Sequence, residues 1–354
     1  MAQLSPVQVS QLFRSKDVIM GKRVWVLAGA FLLLCASAGV MSSPAQAEDR
    51  PPLSPALKPY TKVEGVSGTL TSVGSGSLHK LMALWAEGFR RYYPGAQIQV
   101  ENKGASASTI ALLDGTAHIT PMSRMMEESE LAQFQAKLGY RPTAYAVAVD
   151  ALVLYVHKEN PIQGLTMEQV EEIFAKSPRY RTTSISKWDE LDLVDRWAGA
   201  PINLYGLPST TATHEFLRTH ILHDGEFKPG VNEEPSSQSV VQKVSADPYA
   251  LGYGGSESVA PGVRVVPLAE SEFSPYVEPT AQNIANRRYP LRRYLYIYIN
   301  QTPRKILKGA KPLPPVMREF LRYAFSQEGQ AEVTKSGYSP VEDWIVEKAL
   351  AKIK

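Results

Sequence analysis

Cysteine is almost absent: the 354 residues contain one, Cys35, and it lies in an apolar run near the N-terminus. A disulfide framework is therefore excluded, and the chain must be held by its core. Catalytic signatures are missing as well. There is no G-x-S-x-G nucleophile elbow, no glycine-rich P-loop ending in Gly-Lys-Ser/Thr, and no H-E-x-x-H zinc pair. No internal repeat of fixed period is present. His220 and His223 are spaced to share a metal, but no third ligand is near them in sequence, so surface histidines are expected and no metal or other cofactor is implied.

What is present first is an export pattern. Lys22 and Arg23 precede an apolar run from Val24 to about Val40, followed by Ser42-Ser43-Pro44 and Ala45-Gln46-Ala47. A basic start, an apolar middle and an A-x-A end read as a signal peptide cleaved after Ala47, with Met20 as the start of a signal of ordinary length. Pro44 and the A-x-A triplet argue against a membrane anchor. Leu34 before Cys35 argues against lipid attachment, which needs a small residue there. Cleavage removes four of the 38 basic and one of the 35 acidic side chains, so the two signs become equal. A neutral protein has no broad basic face for nucleic acid or anionic lipid.

Residues 48–65 are proline-rich and read as an extended lead-in. Strand-like and helix-like segments then alternate, which predicts an α/β layer with a parallel sheet. The strand pattern Thr69–Val73 runs into Gly74-Ser75-Gly76-Ser77-Leu78. A helix pattern follows, with Leu78, Leu81, Met82, Trp85, Phe89 and Tyr92 on one face. Gln97–Val100 is a second strand before Gly104-Ala105-Ser106-Ala107-Ser108, with a helix expected over 109–113. Ala117–Thr120 leads into Pro121-Met122-Ser123-Arg124. Ala144–His157 is apolar throughout except Asp150, as a buried or crossing strand would be. Thr166 and Gln169 form a capping box. Ile202–Tyr205 precedes Ser209-Thr210-Thr211-Ala212-Thr213-His214, and Tyr294–Ile299 is a second crossing candidate. Two closing helices are expected, the last with Val341, Trp344, Ile345 and Leu350 on one face.

One Gly/Ser turn before a helix is an ordinary cap. Here Ser75/Ser77, Ser106/Ser108 and Thr211/Thr213 each sit at a strand-to-helix junction, and Ser123 follows a strand. Repeated helix starts rich in N–H and O–H donors suit one dehydrated oxyanion, and need no net positive charge.

These pieces, in this order, resemble the phosphate-binding protein of bacterial phosphate ABC importers, within the type II periplasmic binding protein superfamily. The likeness runs from about Gly68 to Val341. It includes Leu251-Gly252-Tyr253-Gly254, Tyr289–Tyr296 and Ser326-Gln327-Glu328-Gly329-Gln330 leading to Gly337-Tyr338-Ser339-Pro340. The resemblance implies a two-lobed α/β fold with two crossing strands and the ligand cleft between. Lobe one is expected at 66–146 plus 294–354 and lobe two at 147–293. Ligand contacts are implied at Ser75, Gly76, Ser77 and Leu78, at Ser106, at Ser123 and Arg124, and at Ser209, Thr211, Ala212 and Thr213. No catalytic residue is implied. The partners implied are inorganic phosphate or a similar oxyanion and an inner-membrane ABC permease, with a periplasmic monomer.

Three positions depart from that pattern. Gly76 stands where the first turn usually has Thr or Ser, so the hydroxyl is expected from Ser77. Ser123 stands where strict phosphate binders can use Asp, which predicts weaker discrimination against sulfate. Leu207 stands where an Arg often precedes the Ser-Gly-Thr-like motif, which calls for Arg124, Arg292 or another Arg to replace it. Two other readings follow if none does: an envelope or secreted interaction protein with a degenerate cleft, or a phosphate-ester hydrolase.

Overall fold

The computed structural model describes residues 53–179, 184–301 and 312–353, without the side chains of Ala105 and Ser106. The signal-peptide segment and its Ala47 site lie outside the described residues. Among the described residues, no helix is long and apolar enough to cross a membrane.

The first part of the fold alternates as the sequence predicts. It runs β1 (Gly68–Gly74), α1 (His79–Tyr92), β2 (Ala96–Asn102), α2 (Ala105–Leu113), β3 (Ile119–Met122), α3 (Glu128–Leu138) and the long β4 (Thr143–His157). Then come β5 (Leu165–Thr166), α4 (Met167–Phe174), β6 (Asn203–Gly206), α5 (Ala212–His220), β7 (Asn232–Glu233), α6 (Ser237–Ala246) and β8 (Ala250–Gly255). The chain finishes with β9 (Val263–Val265), β10 (Leu268–Ala269), α7 (Ala281–Ala285), β11 (Arg292–Ile299), α8 (Pro315–Ala324), α9 (Gln327–Ser336) and α10 (Asp343–Lys352).

One sheet carries the order β2-β1-β3-β11-β4-β8-β6-β7, with β9 also on β4. β1 pairs parallel with β2 and β3, and β6 parallel with β7 and β8, whereas β11 runs antiparallel to β3 and β4. β4 is the spine. Its residues up to Ala151 pair with β11, and from Leu152 onward they pair with β8. The β-branched, apolar run of β4 is buried from Val147 to His157, because helices and neighbouring strands cover it on both faces.

α1 shows why its face was legible. Leu78, Leu81, Met82, Trp85 and Phe89 are all fully buried, and Trp85 Nε1 donates to the Gly329 carbonyl at 2.8 Å. At about 25 cal/mol per Å² of apolar surface, each such side chain contributes roughly 2 kcal/mol. The Thr166 capping box on α4 forms in both directions.

Three differences from the sequence reading are informative. The helix expected over 109–113 starts at Ala105, because Gly104 adopts φ 77 and lets the chain turn straight from β2 into α2. Three helices close the chain instead of two; α9 was missed because its buried face includes Gly329, Gln330, Glu332 and Ser336, which carry no apolar signal. On α10 the buried face is Ile345, Val346 and Ala349, while Trp344 and Leu350 are exposed. The described part of the lead-in is also docked. Tyr60 is buried, with its hydroxyl 2.8 Å from that of Tyr93 and donating to Glu319 at 3.0 Å.

Candidate functional site

Parallel strands deliver their chain ends to one edge, where loops and helix starts leave backbone donors uncommitted. β1, β2 and β3 do this with three of the predicted turns. The Gly74 carbonyl accepts from Lys103 N at 3.2 Å and Gly104 N at 3.3 Å, which ties the first turn to the second. Ser75 N donates to the Pro121 carbonyl at 2.8 Å, and the Ser75 and Ser123 hydroxyls are 3.2 Å apart. The first turn is thereby tied to the third. Residues Gly76–Leu78 make a short 3-10 turn ahead of α1, and the Ser75 side chain does not cap it. The hydroxyl of Ser75 is thus directed at Ser123, which is itself buried.

Other predicted residues are placed differently. Leu78 points into the core, and its N–H bonds the Ser75 carbonyl at 3.2 Å. Ser106 lies in the first turn of α2, and its side chain is outside the described residues. Arg124 turns to α3: it donates to both carboxylate oxygens of Glu130, at 2.7 and 3.0 Å, and also meets Glu127 at 3.2 Å. Glu130 further accepts from Thr109 at 2.9 Å and from Glu127 N at 2.7 Å. Arg124 is therefore a clamp between β3 and α3. Arg292 is likewise engaged, with Glu342 at 3.2 Å.

The second half of the site is the start of α5. Thr211 caps it, accepting from His214 N at 3.2 Å while donating to the Pro208 carbonyl at 2.8 Å. Ser209 is exposed on the preceding turn. Leu207 is buried and held by Tyr253, whose hydroxyl accepts from Leu207 N at 3.2 Å. His214 lies against Phe227, with ring centroids 4.2 Å apart. His118 is structural: its Nδ1 accepts from Thr71 N at 2.9 Å.

Thr213 reveals what the sequence reading missed. Its hydroxyl accepts from Arg293 Nη2 at 2.9 Å, and the Ala212 carbonyl accepts from Arg293 Nη1 at 3.1 Å. Arg293 also grips Asp150 Oδ2 through Nε at 3.0 Å and Nη2 at 2.8 Å. Both side chains are buried. A guanidinium does reach the α5 start, from β11 instead of from position 207. The available signal was a lone Asp in an apolar strand, facing an Arg in the other crossing strand.

Tyr338 joins the two halves. Its hydroxyl donates to the Ser77 carbonyl at 2.6 Å. The next residue, Ser339, bridges Val149 in both directions, at 2.8 and 2.9 Å, directly beside Asp150. Burial raises the Tyr338 hydroxyl well above the ordinary phenol range, and the carboxyl groups of Glu257 and Asp150 add to this, so it stays a neutral donor.

Comparison with known proteins places this architecture. Residues 61–328 match the family model described as a PBP superfamily domain. The phosphate-binding protein PstS of Pseudomonas aeruginosa is 42% identical over 328 residues, which cover 92% of this chain and 98% of that one. The chain belongs to the PstS branch of the PBP superfamily. PstS of Bacillus subtilis is 27% identical over 79% of this chain and 83% of its own. An ABC-type phosphate transport receptor from Vibrio cholerae shares the fold, with a TM-score of 0.59 at 21% identity, over 76% of this chain and 99% of that one. Within this family member, the donor set comprises two hydroxyl-bearing turns, one capped helix start and a buried Arg–Asp pair.

Proposed function

We propose that the chain is a solute-binding protein that captures an inorganic oxyanion, phosphate first, and presents it to an ABC permease. The observation that carries this reading is Arg293, anchored on Asp150 and at the same time seated on Thr213 and Ala212 at the start of α5. A charge-assisted donor at a helix N-terminus is the strongest element such a site can have. It supplies the guanidinium whose absence at Leu207 motivated the degenerate-cleft alternative. The relatives named above support the choice of phosphate, and their names describe binding proteins and receptors, not enzymes.

In this reading the direct contacts are Gly76 through its N–H, the hydroxyls of Ser75, Ser77 and Ser123, the α2 start at Ser106, and the α5 start from Thr211 to Thr213. Lobe one comprises 66–146 plus 294–354, lobe two 147–293, and β4 and β11 are the crossing strands. Closure of the lobes would bury the anion and create the surface a permease reads. The mature chain is an exported, monomeric periplasmic protein that begins after Ala47.

Titration calorimetry of the mature chain tests this. Phosphate should bind with micromolar affinity or better, roughly −8 kcal/mol or more favourable. No phosphate binding up to millimolar concentration, by a chain with a normal unfolding transition, would refute the proposal.

A further inference from the structure

Arg293 on β11 is buried with two carboxyl groups about it, Asp150 on β4 and Glu257 just after β8. Asp150 places both Arg293 bonds on Oδ2, and its Oδ1 is shut off from solvent with no protein partner among the described residues. Glu257 lies on the short turn Ser256–Ser258 that follows β8. Its Oε1 accepts from the Ser258 hydroxyl at 3.1 Å, and its Oε2 is shut off from solvent and unpartnered in the same way. Gly255 pairs with Leu152, so the antiparallel register brings Glu257 to Asp150 on β4, and Gly337 lies against Glu257 from the segment after α9. Tyr155 on β4, Arg293 on β11 and Tyr338 are the other titratable or charged groups interacting with these carboxyls. α6 presents only the Ser237 hydroxyl nearby, which accepts from Gly255 N at 3.3 Å.

One cation cannot balance two carboxylates and a captured anion in that space. Burial raises the Asp150 carboxyl, but Arg293 commits two donors to it, so of the two carboxyls Asp150 is the one that ionises first. Glu257 accepts from the Ser258 hydroxyl and its own backbone N–H, and no cation pairs with it among the described residues. Burial, and then the neighbouring charge of Asp150, push its carboxyl up to about 7.

Resting on the oxyanion reading above, we propose that Asp150 and Glu257 form a one-proton carboxyl pair, and that capture of a doubly charged oxyanion takes up a proton on Glu257. Tyr338 reaches Ser77 through its hydroxyl, while its neighbour Gly337 lies against Glu257 and its neighbour Ser339 pairs with Val149 beside Asp150. Arg293 joins Asp150 to Thr213, so an anion held between Ser77 and Thr213 lies beside the pair. An ionised Glu257 would then oppose the anion at short range and low dielectric, where like charges interact strongly. Protonation removes that opposition. Affinity therefore falls as pH rises through the range in which Glu257 ionises.

The test is phosphate titration calorimetry at about pH 8 in buffers of different ionisation heat, which counts protons taken up on binding. Comparing wild type with Glu257→Gln cancels the titration of phosphate itself. Wild type should take up most of one proton more than the variant. Across the range in which Glu257 titrates, the affinity of the variant should fall at least several-fold less. Equal uptake in both proteins overturns the proposal and leaves phosphate capture standing. Loss of binding in Glu257→Gln, with no uptake in wild type, also overturns it, because Glu257 would then be an acceptor for the ligand's own proton. Absence of phosphate binding by wild type fails the functional reading, and this proposal with it. The ligand-free chain gives a second readout. Because the folded state holds the extra proton, stability of wild type relative to Glu257→Gln should fall as pH rises from the ordinary carboxylate value toward about 7. No difference in that slope overturns the proposal; if the Gln variant does not fold, Glu257→Met serves for both measurements.

Discussion

Arg293 and Asp150 stand directly opposite one another on the antiparallel strands β11 and β4, and the Arg293 side chain continues past Asp150 to the start of α5. This cross-strand pair welds the two crossing strands and aims a cation at a helix N-terminus. Removing either partner should therefore affect both stability and ligand.

Arg293→Met leaves Asp150 buried without its cation, and should destabilise the fold by about 3–5 kcal/mol. Adding Asp150→Asn should recover part of that stability in denaturant unfolding. It should not recover phosphate affinity, because the guanidinium is still missing. Recovery of both would show that Arg293 acts only on the fold.

The Ser77 carbonyl is occupied by Tyr338, yet among the described residues its hydroxyl bonds no protein group. Ser77→Ala should weaken phosphate binding by about 1 kcal/mol, a factor of roughly five to ten, at unchanged stability. If the variant binds phosphate as tightly as wild type, the first turn is only an entry into α1.

Arg124 and Glu130 make a separate prediction in acid. Burial raises the Glu130 carboxyl, but the bond from Arg124, the Glu127 N–H and Thr109 outweigh it, and the folded-state value is lowered. A depressed carboxylate stabilises the fold above its unfolded pKa of about 4.3, and that contribution is lost as pH falls through the lower folded value. Urea unfolding should show wild type losing stability in that acid range faster than Glu130→Gln, with phosphate affinity of the variant near wild type at neutral pH.

Gly329 sets a test of packing. A methyl group there would overlap the Tyr323 carbonyl oxygen and the Ala324 backbone, which cannot swing aside as a side chain end can. Gly329→Ala should cost about 1–3 kcal/mol or more. It should also disturb the Trp85 indole, whose Nε1 donates to the Gly329 carbonyl, so tryptophan fluorescence reads the same event.

Periodicity made much of the fold legible. The apolar stripe of α1, the apolar run of β4 around Asp150 and the Thr166 capping box depend on local spacing, and local spacing is written in the chain. The Gly/Ser turns of the candidate site were legible as turns for the same reason, since each is a junction between two recognisable elements. α9 was not legible, because apart from Val333 its interior face is glycine, glutamine, glutamate and serine, held by contacts from other helices.

Charge partners were decided only by the tertiary structure. Sequence alone offered Arg124 and Arg292 as replacements for a missing cation, but distance along the chain carries no information about which carboxylate an Arg meets. Folding places Glu130 on Arg124, Glu342 on Arg292 and Asp150 on Arg293, and 143 residues separate the last two. Strand register does what composition cannot: it sets Arg293 opposite Asp150, beside Thr213, and leaves Glu257 as the carboxyl without a cation of its own.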